Sequence, residues 1–473
     1  MARGHNGDFL HDSTGNALLE FFSKAGSLFE KREEYYGGET SALNLFKPAF
    51  ATDKVRAAKL AFWLRDCRGG AGNRSGFRSV VKWLSENHSE WIEANLHLIP
   101  TTGRWDDLIA CFDTPCEDAA VAYWARVIAD TDNGACALAC KWAPREKKNK
   151  VVFAKLRKAL GMSPKAYRKH LAEYTKVVET AMCSGDWHDI DYNTVPSVAM
   201  ARNAQAFLKH DPARYDSWRE SLTDENSDTK VNASALFPHD VLRTSSRDAK
   251  LANAQFAALP NFMEGTEMRI MPICDFSGSM SVHVSGEIRA IDISASLGLY
   301  CSDRVGENNP FYRKLIPFST DSKLVSWKGQ TFSEASRTIR NGYMGSTNVK
   351  AALDQILNSA KMFNATNDQI PNCLLIISDM QFDHGADGAE KTTVESCMEE
   401  WEAAGYDRPR IVYWNTAGNA GSPSRSHENV ALVSGFSPSV LGAVLGGTDF
   451  SPMAVLDRAI EKYEVVVPDE VTA

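Results

Sequence analysis

The sequence predicts a multidomain chain with an all-α first half and an α/β second half. From about residue 41 to 210, short amphipathic stretches follow one another with no strand-like run between them. After residue 265, apolar runs of strand length alternate with amphipathic helical stretches. The length of 473 residues suits two or three domains. We therefore expect a polar N-terminal segment over residues 1–40, a helical domain over 41–260 and an α/β domain over 265–465.

The first half resembles a stack of short paired helices. Asp53 can cap a helix over 54–65, which ends before a glycine-rich loop. Ser75 is expected to open the next helix. Short helices joined by short Gly or Pro loops indicate a solenoid of helix pairs. Residues 211–232 are the most polar stretch and are expected to form a surface connection.

In the second half, the alternation of strands and helices predicts a mainly parallel, doubly wound sheet. The expected strands are Ile270–Cys274, Leu315–Phe318, Lys323–Trp327, Cys373–Ser378, Arg410–Trp414 and Val430–Val433. The expected helices lie near 287–302, 332–340, 347–362, 390–404, 437–445 and 452–463. In such sheets ligands bind beyond the carboxyl ends of the central strands.

Five oxygen-bearing side chains are predicted to meet at that edge of the sheet. Asp275, Ser277 and Ser279 follow the first strand, Thr347 precedes a helix, and Asp379 ends a buried strand. Carboxylates and hydroxyls suit a hard divalent cation such as Mg²⁺. The alternative is an ordinary turn in which Ser277 and Ser279 cap the next helix.

No familiar hydrolase or NTPase motif accompanies these residues, so we expect no enzymatic activity. Asp383 and His384 follow Asp379 and could supply a general base. A solvated loop is the favoured interpretation of that pair.

The charge distribution predicts a nucleic-acid surface in the helical half. The chain carries a net charge of −8, yet residues 141–170 contain eleven basic residues and one acid, Glu146. The basic residues are Lys141, Arg145, Lys147, Lys148, Lys150, Lys155, Arg157, Lys158, Lys165, Arg168 and Lys169. Three aromatic residues, Trp142, Phe153 and Tyr167, lie among them, which is a combination that binds phosphates and stacks bases.

Two alternatives to RNA binding stay open for this block. It could be a solvated helix face, or it could dock on the acidic remainder of the chain. Arg65, Arg68, Arg74 and Arg78 are secondary RNA-binding candidates.

Composition indicates a cytoplasmic protein. The ten cysteines are scattered, and no run of apolar residues approaches membrane-spanning length. The polar start is unlike a secretory signal. Cys136 and Cys140 have no second pair at metal-ligand spacing, so we expect buried small side chains.

The order and spacing of Asp275, Ser277, Ser279, Thr347 and Asp379 resemble the metal-ion-dependent adhesion site of von Willebrand factor A domains over roughly 265–450. The resemblance implies a Rossmann-like fold whose three hydroxyls bind the cation directly. The two carboxylates would act partly through water, and one position would stay open for an acidic side chain of a protein partner.

The whole chain resembles the TROVE (Ro) architecture, and more closely the TROVE-related proteins with a DUF2828-type module. The stretches that carry this likeness are 64–70, 103–108, 141–144, 177–185, 191–192, 195–197, 378–383 and 412–415. The resemblance implies a HEAT-like solenoid followed by an A-type domain. Ro proteins thread a single-stranded RNA end through a ring of helical repeats and bind structured RNA on the outer basic face. The resemblance therefore implies a non-catalytic protein that binds a single-stranded RNA end or a small structured RNA.

Two further functions stay open at this stage. The cation site could capture an acidic partner, as A-type domains do when they serve MoxR-like AAA+ ATPases. A metal-dependent nuclease is the third candidate.

Overall fold

A computed structural model of the chain describes residues 2–3, 9–10, 14–28, 41–175, 177–222, 224, 227–233, 236–285, 287–318, 322–342, 348–380, 393–418, 429–447 and 449–468. Two short strands, β1 (Ala2–Arg3) and β2 (Phe9–Leu10), pair antiparallel and precede a helical region. Its helices are α1 (Ala17–Lys24), α2 (Ala42–Thr52), α3 (Lys54–Arg65), α4 (Arg74–Asn87), α5 (Ser89–Ala94), α6 (Leu98–Thr102), α7 (Glu117–Ala129), α8 (Cys136–Trp142), α9 (Lys150–Ala159), α10 (Pro164–Tyr174), α11 (Val178–Ser184), α12 (Ser197–His210), α13 (Pro212–Ser221), α14 (Pro238–Ser245) and α15 (Ala249–Ala257). Turns of 3-10 helix lie at Ala25–Ser27, Trp105–Cys111 and Trp187–Asp189.

Side-chain caps set where several of these helices begin. Asp53 accepts a hydrogen bond of 2.9 Å from the Arg56 N–H at the start of α3, as predicted. The prediction that Ser75 opens the next helix is wrong, because Asn73 caps it. The Asn73 side-chain oxygen Oδ1 accepts from the Gly76 N–H at 3.0 Å, so α4 begins at Arg74.

The polar stretch 211–232 contains a helix, which corrects the prediction of a surface connection. Pro212 occupies the first turn of α13, a position where its missing N–H costs no hydrogen bond. Tyr215 and Trp218 on this helix are buried in a small hydrophobic cluster with Tyr192 and Phe207. Two well-placed aromatic residues therefore anchor a segment whose average composition is polar.

The α/β region follows and has the predicted doubly wound architecture. Its strands are β3 (Ile270–Asp275), β4 (His283–Ser285), β5 (Ile288–Arg289), β6 (Lys314–Phe318), β7 (Val325–Ser326), β8 (Cys373–Ser378), β9 (Arg410–Asn415) and β10 (Val430–Ser434). Its helices are α16 (Ala290–Arg304), α17 (Phe332–Gly342), α18 (Val349–Met362), α19 (Thr393–Ala403), α20 (Val440–Leu445) and α21 (Pro452–Ile460). A 3-10 turn at Gly278–Ser281 follows β3.

Six strands form one sheet in the order β10-β9-β8-β3-β6-β7. The pairs from β10 to β6 are parallel, and β7 is an antiparallel edge strand. All six predicted strands are present at the expected places. After β7 the chain crosses to the other side of β3, where it adds β8, β9 and β10 in turn. The boundary between the parallel strands β3 and β8 is therefore the topological switch point.

The helical region and the α/β region share one hydrophobic cluster. Helix α1 contributes Phe21 and Phe22, both fully buried. Just after α1, the Ser27 hydroxyl donates to the Asn415 carbonyl at 2.6 Å and accepts from the Gly435 N–H at 2.9 Å. The start of the helical region is therefore bound to the β9–β10 edge of the sheet.

Two further findings concern the membrane and cysteine predictions. None of the helices in the described part of the chain is long and apolar enough to cross a membrane. Cys136 and Cys140 are buried with their Sγ atoms 3.8 Å apart, in keeping with the expected small core side chains.

Replacing Asp66 with alanine is predicted to loosen the contact between the two regions. The Asp66 carboxylate accepts from the Tyr463 hydroxyl and from the Lys462 ammonium, each at 2.9 Å. Because Tyr463 is buried, the variant leaves its hydroxyl without this acceptor, and we expect a loss of about 1–3 kcal/mol. Chemical denaturation of the full chain measures the loss.

Asp457→Ala is the matched control for this prediction. Asp457 pairs with Arg56 across the same interface at 2.8 Å, but both side chains are more than 40% exposed, at 43% and 44%. Such pairs contribute about 0–1 kcal/mol. Equal losses from the two variants would contradict the assignment of Asp66 as a buried anchor.

Candidate functional site

Two carboxylates meet at the switch point of the sheet. Asp275 is the last residue of β3, and Asp379 directly follows β8. The parallel register pairs Cys274 with Ile377, so the two strands end at the same edge. Both aspartates are fully buried. The sequence prediction that they lie at one edge is confirmed by this topology.

Asp275 accepts hydrogen bonds from two neighbouring serines. The Ser378 hydroxyl donates to Asp275 Oδ2 at 2.6 Å, and the Ser277 N–H donates to Oδ1 at 2.9 Å. The hydroxyls of Ser277 and Ser279 lie 3.0 Å apart. In the 3-10 turn that follows, Ser277 makes no side-chain capping bond, so the helix-cap alternative is not observed. Ser378 adds a hydroxyl that sequence reasoning missed, although it directly precedes Asp379.

The electrostatics of this edge favour a bound cation. Burial and the nearby Asp379 carboxylate raise the pKa of Asp275 to about 7. A divalent cation would offset the repulsion between two buried carboxylates, and the carboxylate and hydroxyl oxygens are donors that Mg²⁺ prefers. The residues present therefore fit the predicted cation.

Thr347, Asp383 and His384 lie outside the described residues. Among the residues that are described, no group of three or more His, Cys, Asp or Glu side chains is placed to hold a metal ion. The predicted donor set has two carboxylates and otherwise hydroxyls, so it does not form a group of that kind.

The basic block contains exposed side chains and side chains that bind other groups of the helical region. The exposed members lie on α9, on α10 and in the turn before α9; they are Lys147, Lys148, Lys150, Lys158, Lys165, Arg168 and Lys169. Lys141 pairs with Glu179 and Lys155 with Glu117. Arg145 and Arg157 donate to backbone carbonyls, at 2.9 Å to Ala143 and 2.8 Å to Met162.

The aromatic residues of the block do not form a stacking platform. Phe153 and Tyr167 are buried and contact each other edge to face, with ring centroids 5.3 Å apart. They hold α9 against α10. Trp142 is half-buried, and the Arg104 guanidinium lies 3.9 Å from its ring centroid. The expectation that Phe153 and Tyr167 stack on bases is therefore wrong, because both rings belong to the core.

Three of the four secondary arginine candidates belong to a charged network. Arg65 is buried, and its Nε donates to Asp107 Oδ2 at 2.7 Å. The Arg78 Nε donates to the other oxygen of Asp107, also at 2.7 Å, and Arg74 lies beside them. Arg68 is exposed outside this network.

Sequence reasoning missed Arg104, Asp106 and Asp107 as parts of this network. Arg104 holds Asp106 with two hydrogen bonds of 2.9 and 2.8 Å. The signal was the run of one arginine and two aspartates in residues 104–107, which carried no assigned chemistry.

Comparison with known proteins agrees with this architecture. The chain is 25% identical to an uncharacterized protein of Acanthamoeba polyphaga mimivirus, over 97% of this chain and 87% of that protein. The crystal structure of the Deinococcus radiodurans RO (RSR) protein superposes with a TM-score of 0.50 at 12% identity, over 95% of this chain and 100% of that one. The second similarity shows a Ro-like fold.

Family profiles cover nearly the whole chain. The profile described as Domain of unknown function (DUF7788) matches residues 269–467, which is the α/β region. The profile described as Domain of unknown function (DUF2828) matches residues 4–111 and 125–267, more than half of the chain. The chain therefore belongs to the DUF2828 family.

Proposed function

We propose that this chain is a non-catalytic RNA-binding protein of Ro-like architecture. The observation that carries the proposal is the lysine surface, which we define as Lys147, Lys148, Lys150, Lys158, Lys165 and Lys169. All six side chains are exposed, and within the described residues none of them forms an ion pair. Lysines of this kind attract phosphates and release counterions on binding.

The intramolecular alternative is less well supported. If the block docked on the acidic remainder of the chain, its lysines would be paired with the chain's own carboxylates. Within the described residues, two members of the block have such pairs, Lys141 with Glu179 and Lys155 with Glu117, and Arg168 pairs with the block's own Glu146. The lysine surface faces solvent, which supports an external polyanion. The Ro-like fold and the family resemblance support RNA as that polyanion.

Removing four charges from the lysine surface is predicted to weaken RNA binding and its salt dependence. The variant replaces Lys147, Lys148, Lys150 and Lys158 with alanine and leaves Arg157 intact, because Arg157 holds the Met162 carbonyl. We expect the slope of log affinity against log salt to fall by up to about 3 for single-stranded RNA. A titration of labelled single-stranded RNA at several salt concentrations measures it.

The matched control removes four exposed lysines from other surfaces, Lys209, Lys250, Lys328 and Lys361. It changes net charge by the same amount and should leave most of the affinity and slope intact. If both variants lose the same affinity, binding is a general effect of net charge and the lysine surface is not the site. RNA binding that does not vary with salt would also contradict the proposal.

A second proposed function concerns the carboxyl edge of the sheet. We propose that Asp275, Ser277, Ser279, Thr347 and Asp379 hold Mg²⁺ or another divalent cation in an A-type domain. When bound, the cation would supply a positive centre that attracts an acidic side chain of a protein partner. The buried pair of Asp275 and Asp379 supports this proposal, because it is unfavourable without a compensating charge. A partner such as a MoxR-like AAA+ ATPase is the rival to RNA as the main ligand of the chain.

Loss of one hydroxyl is predicted to abolish a stabilising effect of Mg²⁺. We expect Mg²⁺ to raise the Tm of the parent chain and EDTA to reverse the change. Ser279→Ala removes a predicted ligand at a half-buried position and should suppress the increase. Ser281→Ala lies in the same turn but is exposed, so it should respond as the parent does. The same shift in all three proteins would place the cation elsewhere.

We expect no nuclease activity. Labelled RNA incubated with the chain and Mg²⁺ should stay intact, because Asp275 is fully buried and its two oxygens accept from the Ser378 hydroxyl and the Ser277 N–H, so this carboxylate is not free to act as a base. Cleavage that EDTA stops and Ser279→Ala abolishes would overturn the non-catalytic assignment.

A further inference from the structure

A cluster of arginines around Asp106 and Asp107 carries more positive charge than its aspartates balance. Asp107 is fully buried and accepts from Arg65 and Arg78, while Asp106 accepts from Arg104. With Arg74, four guanidiniums surround two carboxylates, so the cluster keeps an excess of about two positive charges. Guanidiniums are charged at any physiological pH.

Arg74 has N–H groups that remain available to an external ligand. Its nearest carboxylate oxygens lie 3.5 Å away on Asp106 and Asp107, longer than the bonds that Arg78 and Arg104 make. Its side chain is 41% exposed, so an external ligand can reach it. Burial and the neighbouring guanidiniums of Arg78 and Arg104 hold the pKa of Arg74 below its ordinary value. An added anion would relieve that repulsion.

The other guanidiniums are held in place by the fold. Arg104 is fixed by two bonds to Asp106 and by the Trp142 ring beneath it. Arg78 is fixed by Asp107 and by the Asp106 carbonyl, to which it donates at 2.9 Å. Gly103 permits this packing, because a Cβ there would lie 2.7 Å from Arg65 Nε and 2.5 Å from Asp107 Oδ2. Donors held in fixed positions lose little freedom when an anion binds.

From this geometry we propose that Arg74, Arg78 and Arg104 form a phosphate-binding site that favours a phosphomonoester over an internal phosphodiester. A monoester dianion matches the excess of two charges, whereas a diester carries one. The planar guanidinium also suits bidentate contact with phosphate oxygens. The site explains the stretch 103–108, to which the proposed RNA-binding function gives no role.

The phosphate can come from two sources. One is a free phosphate or nucleotide, and the other is the terminal phosphate of an RNA strand. The second source rests on the proposed RNA-binding function, and the basic block begins beside the cluster. Trp142 touches Arg104 on one side, and Lys141 at the start of the basic block lies 5.9 Å from its ring.

The test compares Arg74→Ala with Arg68→Ala in the full chain. Arg68 is exposed in the same part of the chain, and its guanidinium lies outside the cluster. Inorganic phosphate should raise the Tm of the parent and of Arg68→Ala above the effect of potassium chloride at equal ionic strength. Arg74→Ala should lose at least about tenfold in phosphate affinity and little stability, because Arg74 is largely exposed and its contacts with Asp106 and Asp107 are long, at 3.5 Å. Equal affinity in both variants, or equal shifts from phosphate and chloride, overturns the proposal.

Two further measurements distinguish the two phosphate sources and distinguish this site from the lysine surface. Adenosine monophosphate and a single-stranded RNA with and without a 5′ phosphate are titrated against the parent and against the variant lacking Lys147, Lys148, Lys150 and Lys158. Phosphate binding that persists in the lysine variant supports an independent site, even if RNA binding itself fails. A preference for 5′-phosphorylated over 5′-hydroxyl RNA that Arg74→Ala removes assigns the strand end. Binding of phosphate and adenosine monophosphate alone assigns the free source. Loss of phosphate binding in the lysine variant counts against a separate site.

Discussion

The helical region is attached to the α/β region at both of its ends, and this double attachment fixes where each candidate site lies. At the start, Ser27 bridges the ends of β9 and β10. At the end, the Tyr300 hydroxyl on α16 accepts from the Phe262 N–H and donates to the Pro260 carbonyl, at 3.0 and 2.6 Å. The rings of Phe256 and Phe332 stack there with centroids 4.3 Å apart. Between these anchors α3 also contacts the α/β region, through Asp66 and Tyr463, whereas α9 and α10 pack against other helices of the helical region.

The proposed cation site and the lysine surface lie in different regions of the chain, and different physical constraints apply to them. Asp275 and Asp379 are brought together by the sheet, because parallel neighbours end at one edge. Burying two like charges costs stability, and a fold that served packing alone would place apolar residues there. The lysine surface has no such cost, since its charges are solvated. Its six lysines are exposed and form no ion pair among the described residues.

The sequence predicted the sheet better than the surfaces. Strand positions followed from short apolar runs, and the carboxylate pair followed from where two of those runs ended. Three features depended on tertiary contacts that no local pattern reports. Asn73 rather than Ser75 caps α4, and the Asn73 side chain also donates to the Ala25 carbonyl. Phe153 and Tyr167 lie within a basic block but face the core. Asp107 binds Arg65 from 42 positions away, so the arginine cluster could not be read from spacing.

The two basic surfaces differ in chemistry in a way that suits different parts of one ligand. The lysine surface presents flexible, strongly hydrated ammonium groups, which hold a phosphate backbone without fixing its geometry. The arginine cluster presents planar guanidiniums held by Asp106 and Asp107, which suit a single phosphate in a defined orientation. Trp142 contacts Arg104, and Lys141 at the start of the basic block lies near the same ring. A strand whose backbone follows the lysines and whose terminal phosphate reaches Arg74 would be selected by the chemistry of its end as well as by its charge.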